Sequence, residues 1–370
     1  MDLLRTSTTD TSGNPVWEVI LNGQTTFSTT AADILDFDKK VQANLTQLQQ
    51  DAGISSPPVT TPPVTPPPTT TGFRGIFAFN NMSNTSLFVD KPYVAGTCLT
   101  RYWAELNPSQ GQYNWAIIDN DMKPWVAAGK SVIIRVSTAG WTKWQPNQNS
   151  KQGTPQWVFD QGVPFVTAND GARKPQYWHL KFLNALQTFV QAFATRYDGN
   201  PNILAIEIGV GDGGETKPDT TKDANVLSRW QAIQYTNANW WQAIQAIINM
   251  YVQAFTKTPL ALMPDASFLQ SASGFDEALV VNYAAKYGVM MQWNGLVSGG
   301  SLPGSFSGLK KGYPLILEQL NSANANGRSL ANDLQTMLNL GAVAALVFND
   351  DLSNTSNVAT LQKYATLVGK

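Results

Sequence analysis

Hydrophobic positions change their spacing repeatedly along this chain. Short apolar runs fall at 73–79, 95–101, 131–137, 203–210, 259–264, 288–293, 313–318 and 342–348, and each reads as a buried strand. Between them apolar residues recur every three or four positions, clearest at 177–196 and 225–256, which predicts amphipathic helices. Tyr197-Asp-Gly-Asn-Pro201 supplies the stop signals that end the first of these. Eight strand-helix units predict an α/β fold, a closed (β/α)8 TIM barrel over 73–370. An open doubly wound sheet competes with this reading, but no glycine-rich phosphate loop follows the first strand.

The first fifty residues follow another rule. Pro15-Val-Trp-Glu-Val-Ile-Leu21 and Gln24-Thr-Thr-Phe-Ser28 flank Asn22-Gly23, a pair suited to a type I′ turn, so a β-hairpin is expected. A helix with one apolar stripe, Ile34, Phe37, Val41, Leu45 and Leu48, follows after Thr30. Either the stripe folds back on the hairpin, or it meets copies of itself. So small a region buries little surface alone, which favours a homo-oligomer, with a trimer as one form. Residues 55–71, Ser-Ser-Pro-Pro-Val-Thr-Thr-Pro-Pro-Val-Thr-Pro-Pro-Pro-Thr-Thr-Thr, cannot continue helix or sheet, because proline fixes φ and removes donors. The expected layout is an anchoring or oligomerising region at 1–53, a Pro/Thr-rich linker at 54–72 and the barrel at 73–370. In polyproline geometry the linker would span on the order of 50 Å.

Composition narrows the function. Charged residues are only 14% of the 370 and the net charge is -1, which argues against a nucleic-acid or anionic-membrane surface. No run approaches the ~20 apolar residues of a membrane span, and Met1-Asp-Leu-Leu-Arg-Thr lacks the basic-then-apolar pattern of a secretory leader. One cysteine, Cys98, and one histidine, His179, make an internal disulfide impossible and a histidine metal site improbable. Neither metal nor cofactor is expected. Cys98 reads as a buried structural thiol, and His179, after Trp178, as a surface cap at a helix start.

In such a barrel, chemistry gathers just past the C-terminal strand ends. There the chain places Asn80 and Asn81; Arg101, Trp103 and Glu105; Arg135, then Trp141 and Trp144; Glu207, Asp212 and Glu215; Asp265; Gln292, Trp293 and Asn294; Glu318; and Asn349 and Asp350. Eleven of the twelve tryptophans lie after the linker, and flat sugar faces stack on aromatic rings while hydroxyls bond to Asn, Gln and Asp. Trp103, Trp141, Trp144 and Trp293 are the candidate platforms; core packing is the competing role for each. Trp240 and Trp241, on a long helix, read as structural.

Four segments in order carry a resemblance: Arg101-Tyr-Trp-Ala-Glu-Leu-Asn-Pro-Ser-Gln-Gly-Gln-Tyr-Asn-Trp115, Ala128-Gly-Lys-Ser-Val-Ile-Ile-Arg135, Phe193-Ala-Thr-Arg-Tyr197 and Leu315-Ile-Leu-Glu318. Together they resemble the TIM-barrel glycoside hydrolases of clan A, whose acid/base and nucleophile glutamates project from the fourth and seventh strands. The resemblance implies that Glu318 is the nucleophile. Where many members carry Asn-Glu at the fourth strand end, this chain has Val210-Gly211. The acid role passes by resemblance to Glu215, beyond Gly211-Asp-Gly-Gly, with Asp212 in reserve. Glu207 is expected to partner an arginine, and Arg101, Arg135, Asp265, Gln292, Asn294 and Asn349 join the candidate substrate-binding set.

The implied function is a retaining glycoside hydrolase acting on surface polysaccharide. Its leaderless chain, small head and rigid spacer resemble a bacteriophage virion appendage, so a virion location and a scaffold partner at 1–53 are expected. Secretion without a classical leader is the alternative location. The alternative function is a non-catalytic glycan-binding or decoration protein on a degenerate hydrolase barrel.

Overall fold

In the computed structural model the described residues are 2–9, 15–21, 24–30, 74–79, 84–140, 152–169, 171–220, 224–265 and 277–368. The chain divides into two compact units, Met1–Thr61 and Pro62–Lys370. The first contains an antiparallel sheet in the order β1 (Asp2–Thr9), β2 (Pro15–Leu21), β3 (Gln24–Thr30). Leu21 pairs with Gln24, as a two-residue hairpin connection requires. The strand β1 was not foreseen, because Leu3-Leu-Arg-Thr-Ser-Thr-Thr lacks period-two alternation; its pairing with β2 supplies the ladder instead. The expected helix over 34–50, the linker, and Asn80 and Asn81 lie outside the described residues.

The second unit is the expected barrel. Eight strands, β4 (Gly75–Phe79), β5 (Gly96–Tyr102), β6 (Ser131–Ser137), β9 (Ile203–Glu207), β10 (Leu260–Leu262), β11 (Met290–Leu296), β12 (Leu315–Gln319) and β13 (Ala344–Phe348), pair in parallel and close on themselves. A two-stranded hairpin, β7 (Phe165–Thr167) and β8 (Arg173–Pro175), is inserted after β6. Along each barrel strand one parity faces the helices and the other the interior. Phe77, Cys98, Ile133, Ala205, Ala261, Met290, Ile316, Ala344 and Leu346 fill that interior. Their mixture of small and large side chains is what filling a narrow barrel interior requires.

Ten helices are described. They are α1 (Trp103–Leu106), α2 (Ala116–Ala127), α3 (Gln156–Asp160), α4 (Leu180–Tyr197), α5 (Ala224–Ala232), α6 (Asn237–Ala254), α7 (Glu277–Lys286), α8 (Leu330–Asn339), α9 (Asn349–Ser353) and α10 (Val358–Val368). α4 buries Phe182, Leu186, Phe189, Val190, Phe193 and Tyr197 at the predicted spacing. The single helix expected over 225–256 is instead the pair α5 and α6. Gln234 takes a φ of 67°, and the Thr236 hydroxyl accepts the Asn239 N–H at 3.0 Å to cap α6. The break has a packing reason: Trp230 and Trp240 are both fully buried, yet ten positions on one helix would point them about 80° apart. His179 does occupy the position before α4, but its side chain makes no capping bond, and its ring is half-buried rather than on the surface. No helix among the described residues is long and apolar enough to cross a membrane.

Candidate active site

Two residues beyond the apolar interior layer, the inward positions become polar on four strands. Ile133 gives way to Arg135, Ala205 to Glu207, Met290 to Gln292 and Ile316 to Glu318, all at the C-terminal half of the barrel. Arg135 is the hub. Its Nε meets Glu207 Oε2 in a very short ion pair, and its Nη2 donates to Glu318 Oε2 at 2.8 Å. Gln292 Nε2 donates to the same Glu318 oxygen at 2.9 Å. The guanidinium also lies over the Phe79 ring, 5.4 Å from its centroid.

Two carboxylates against one cation, all nearly dry, set the electrostatics. Burial pushes the Glu318 carboxyl above its usual range, the Arg135 charge and hydrogen bond oppose that, and the Glu207 charge adds to it. Burial disfavours the Arg135 cation, but both carboxylates outweigh it and hold the guanidinium charged. Cys98 is fully buried, as expected of a structural thiol, and its Sγ lies 3.5 Å from Glu207 Oε1. Burial first, and then the Glu207 charge, push the thiol well up, so it is no nucleophile.

Glu215 reaches the same region by a different device. After β9 the backbone turns through Gly211–Gly214 and runs back on itself: Gly211 N–H bonds to Glu215 O at 2.8 Å and Asp212 N–H to Lys217 O at 2.9 Å. Glycine is required at two points. A Cβ on Gly211 would overlap the Lys217 carbonyl, and Gly214 sits at a φ of 87° against the aliphatic stem of Arg135. The returning segment is pinned from outside by Trp240, whose indole N–H bonds to Thr216 O at 3.0 Å. The neighbouring β10 end holds it through Thr216 Oγ1, which donates to Asp265 O at 2.9 Å and accepts from Asp265 N at 2.7 Å.

The Glu215 carboxyl therefore faces Asn294, whose Nδ2 donates to Oε1 at 3.2 Å, and Lys217, which meets Oε2 in a very short ion pair. Lys217 Nζ also bonds to Asp265 Oδ2 at 2.7 Å. Burial pushes the Glu215 carboxyl up to about 8; the Lys217 charge opposes this and a hydrogen bond with Asp265 reinforces it. Gln292 holds Glu318 and Asn294 holds Glu215, and these two residues lie two apart on β11, ~6.6 Å along one strand. The ladder shifts register between Trp293 and Leu296. Such a bulge re-aims a side chain, here at Asn294. Side-chain exposure is only 9% for Glu318 and 11% for Glu215, so both work in a low-dielectric setting.

Not every expected residue arrives here. Arg101 points to the helix layer, where its Nε and Nη2 grip Asp121 of α2 at 2.7 and 2.8 Å; on β5 it has the parity opposite to Cys98. Trp103 is fully buried among Trp157, Phe182 and Phe189 and offers no face to a sugar. Trp293 takes the outward parity and packs half-buried on the outer core. Asp212 is not a free reserve acid: Lys174 Nζ, Thr220 N and Thr220 Oγ1 all bond to its Oδ2 at 2.7 Å. Asn349 opens α9, and among the described residues no hydrogen bond joins it to either glutamate. Trp141 and Trp144 lie outside the described residues. Lys217 was missed by sequence reasoning. The signal for it was Glu215-x-Lys217 in an extended segment, where alternate residues share a side.

Among the described residues no group of three or more His, Cys, Asp or Glu is placed to hold a metal ion. Fold and carboxylate arrangement together define a glycoside-hydrolase-like (β/α)8 barrel. The family model for glycoside hydrolase family 42, described as beta-galactosidase, matches residues 98–255, which include Arg135, Glu207 and Glu215 but stop short of Glu318. Among solved structures, the catalytic domain of beta-amylase from Paenibacillus polymyxa is similar at 12% identity and a TM-score of 0.59, over 80% of this chain and 99% of that one. Beta-galactosidase from the psychrophilic Marinomonas ef1 matches at 11% identity and a TM-score of 0.48, over 80% of this chain and 59% of that chain. At these identities the likeness is one of fold. No curated protein matches the chain.

Proposed function

We propose that the barrel is a retaining glycoside hydrolase with Glu215 as acid/base and Glu318 as nucleophile. One contrast carries this reading. Burial lifts both carboxyls above the ordinary range, Glu215 to about 8 so that it holds a proton at neutral pH, but Glu318 receives two hydrogen bonds, one from a guanidinium, that oppose its rise and favour its anion. Two carboxyls whose partners differ in this way suit the acid and nucleophile roles. Glu215 gives its proton to the leaving oxygen while Glu318 bonds to the anomeric carbon. Glu215 then takes a proton from the water that hydrolyses the glycosyl ester. Arg135 positions Glu318 and Glu207 rather than touching the sugar, and Gln292, Asn294 and Asp265 act through the two glutamates.

The family match supports a carbohydrate substrate. β-Galactosides are the first to test, because the family model is described as beta-galactosidase. The N-terminal region and Pro/Thr-rich segment support display on a virion or cell-surface scaffold, with surface polysaccharide as the physiological target. A glycan-binding role without hydrolysis is the second reading. It is favoured by Val210-Gly211 standing where Asn-Glu is usual, and by the ion pair that engages Glu215 with Lys217.

A glycan array probed with the full chain and with Glu318→Gln, beside release of nitrophenol from 4-nitrophenyl β-galactoside, separates the readings. Hydrolysis by the wild type, lost in a folded Glu318→Gln that still binds, supports the enzyme. Binding without turnover by both proteins supports the second reading. Full turnover by Glu318→Gln rejects the nucleophile assignment.

A further inference from the structure

The acid glutamate does not stand alone. Lys217 Nζ bridges two carboxylates, Glu215 on its own segment and Asp265 beyond β10, and is itself nearly buried, at 11% side-chain exposure. Asn294 of β11 closes the third side by donating to Glu215 Oε1, and the uncharged stem of Arg135 from β6 lies under Gly214. Both carboxylates are fixed in place by the backbone: Thr216, between Glu215 and Lys217, is bonded in both directions to Asp265. Lys217 Nζ bonds to Glu215 Oε2 and Asp265 Oδ2 alike, so the two carboxyl groups compete for one ammonium.

We infer that Lys217 is a positioning residue, a counter-ion shared by Glu215 and Asp265, which leaves one proton on that carboxyl pair and stabilises Glu215 as an anion once the proton has gone to the leaving group. The geometry leaves little else for it to do. One ammonium carries one charge against two carboxylates, and Glu215, at 11% side-chain exposure against 30% for Asp265, is the one that keeps a proton when both compete for Lys217. When Glu215 loses its proton to the glycosidic oxygen, the count becomes two anions and one cation, and the bond from Lys217 strengthens where the charge has appeared. Lys217 stays charged throughout, because burial disfavours its cation less than Glu215 and Asp265 favour it. When Glu215 draws a proton from water in the second half of the reaction, the original arrangement returns. Nothing is oxidised or reduced, and no further reactant is needed.

The catalytic half of this inference rests on the acid/base assignment of Glu215, while the counter-ion half does not, and the test separates them. The full chain is labelled with carbon-13 at the glutamate side-chain carboxyl, and the Glu215 resonance, identified by its loss in Glu215→Gln, is followed against pH. The wild-type midpoint is expected at about 8. Lys217→Met removes the attraction that favours the anion, so the midpoint rises by a unit or more, a tenfold or greater change in the ionisation constant. Lys217→Arg keeps the charge and returns the midpoint toward the wild-type value. Asp265→Asn removes the competing carboxylate and moves the midpoint down, and it decides the matter if Lys217→Met does not fold.

A midpoint unmoved by Lys217→Met, or by Asp265→Asn when that variant stands in, overturns the inference. The kinetic arm uses 2,4-dinitrophenyl β-galactoside. Its good leaving group needs little acid help, so Lys217→Met should release a burst of dinitrophenol followed by slow turnover, as the base step fails. Wild-type steady-state turnover without a burst refutes the catalytic half. If the wild type cleaves no glycoside, the acid/base reading fails while the titration still decides the counter-ion role.

Discussion

Replacing Glu215 with glutamine should stabilise the folded chain at alkaline pH, which is unusual for the loss of a group that makes an ion pair. The folded carboxyl titrates at about 8 and its ordinary value is 4.5. The folded state therefore binds more protons than the unfolded state between those values, and stability is lost as pH rises through that window. At ~1.36 kcal/mol per unit, the interval corresponds to roughly 3 to 5 kcal/mol once the coupling to Lys217 and Asp265 is allowed for. Glutamine at this position cannot ionise, can still accept from Asn294, and leaves Lys217 paired with Asp265. Wild type and Glu215→Gln should have similar thermal midpoints near pH 5 and separate progressively toward pH 8.5. For a barrel of this size the gap should reach on the order of 5 °C, with the variant higher. Differential scanning calorimetry at four pH values reads this directly. A gap that does not widen with pH, or a variant that is less stable at pH 8.5, would falsify the claim that Glu215 is buried at the expense of its charge.

Lys174 offers the opposite case. Its ammonium lies at 2.7 Å from both Asp212 and Asp219 with 5% side-chain exposure, so Lys174→Met should cost about 3 to 5 kcal/mol by leaving two buried carboxylates facing each other. Urea unfolding at pH 7 measures it, and a loss under 1 kcal/mol refutes the description of that cluster. Trp103→Ala should cost about 3 to 5 kcal/mol as a core deletion. It should leave glycan binding by the surviving folded protein unchanged on an array. Selective loss of binding with normal stability would restore Trp103 as a platform.

How much of this was legible in the sequence depended on period and parity. All eight barrel strands were visible as apolar runs, because a strand buried on both faces is apolar along most of its length. The same continuity hid which residues faced inward. Arg101 and Arg135 look alike at the ends of neighbouring strands, yet Arg101 has the parity of the helix layer and meets Asp121, while Arg135 has the interior parity and meets Glu207 and Glu318. Counting by twos from Ile133 distinguishes them only when Ile133 is known to point inward. Trp103 stayed open between platform and core packing for a related reason: an aromatic just past a strand end serves equally as a platform or as a plug for the helix layer, and the deciding neighbours, Trp157, Phe182 and Phe189, are more than fifty residues away in sequence. The Glu215-x-Lys217 spacing alone did not identify Lys217, because its second partner Asp265 belongs to the next strand, and only the parallel register of β9 and β10 brings them together.

The departure at the fourth strand now has a physical account. A glutamate placed directly at a strand end takes its position from the sheet. Glu215 lies eight residues past Glu207 and cannot do so; the Gly211–Gly214 turn, Thr216, Trp240 and the Lys174 cluster together replace the sheet as its support. This arrangement costs more partners, but it frees the surroundings of Glu215 from the strand register. Lys217 can then share its segment, and Asp265 can approach from the neighbouring strand. Glu318, in contrast, is set by strand register alone, with Arg135 and Gln292 as partners on two other strands. Of the two glutamates, the one carried by the turn is therefore the one whose proton affinity can be adjusted by substitutions in a single loop without disturbing the barrel.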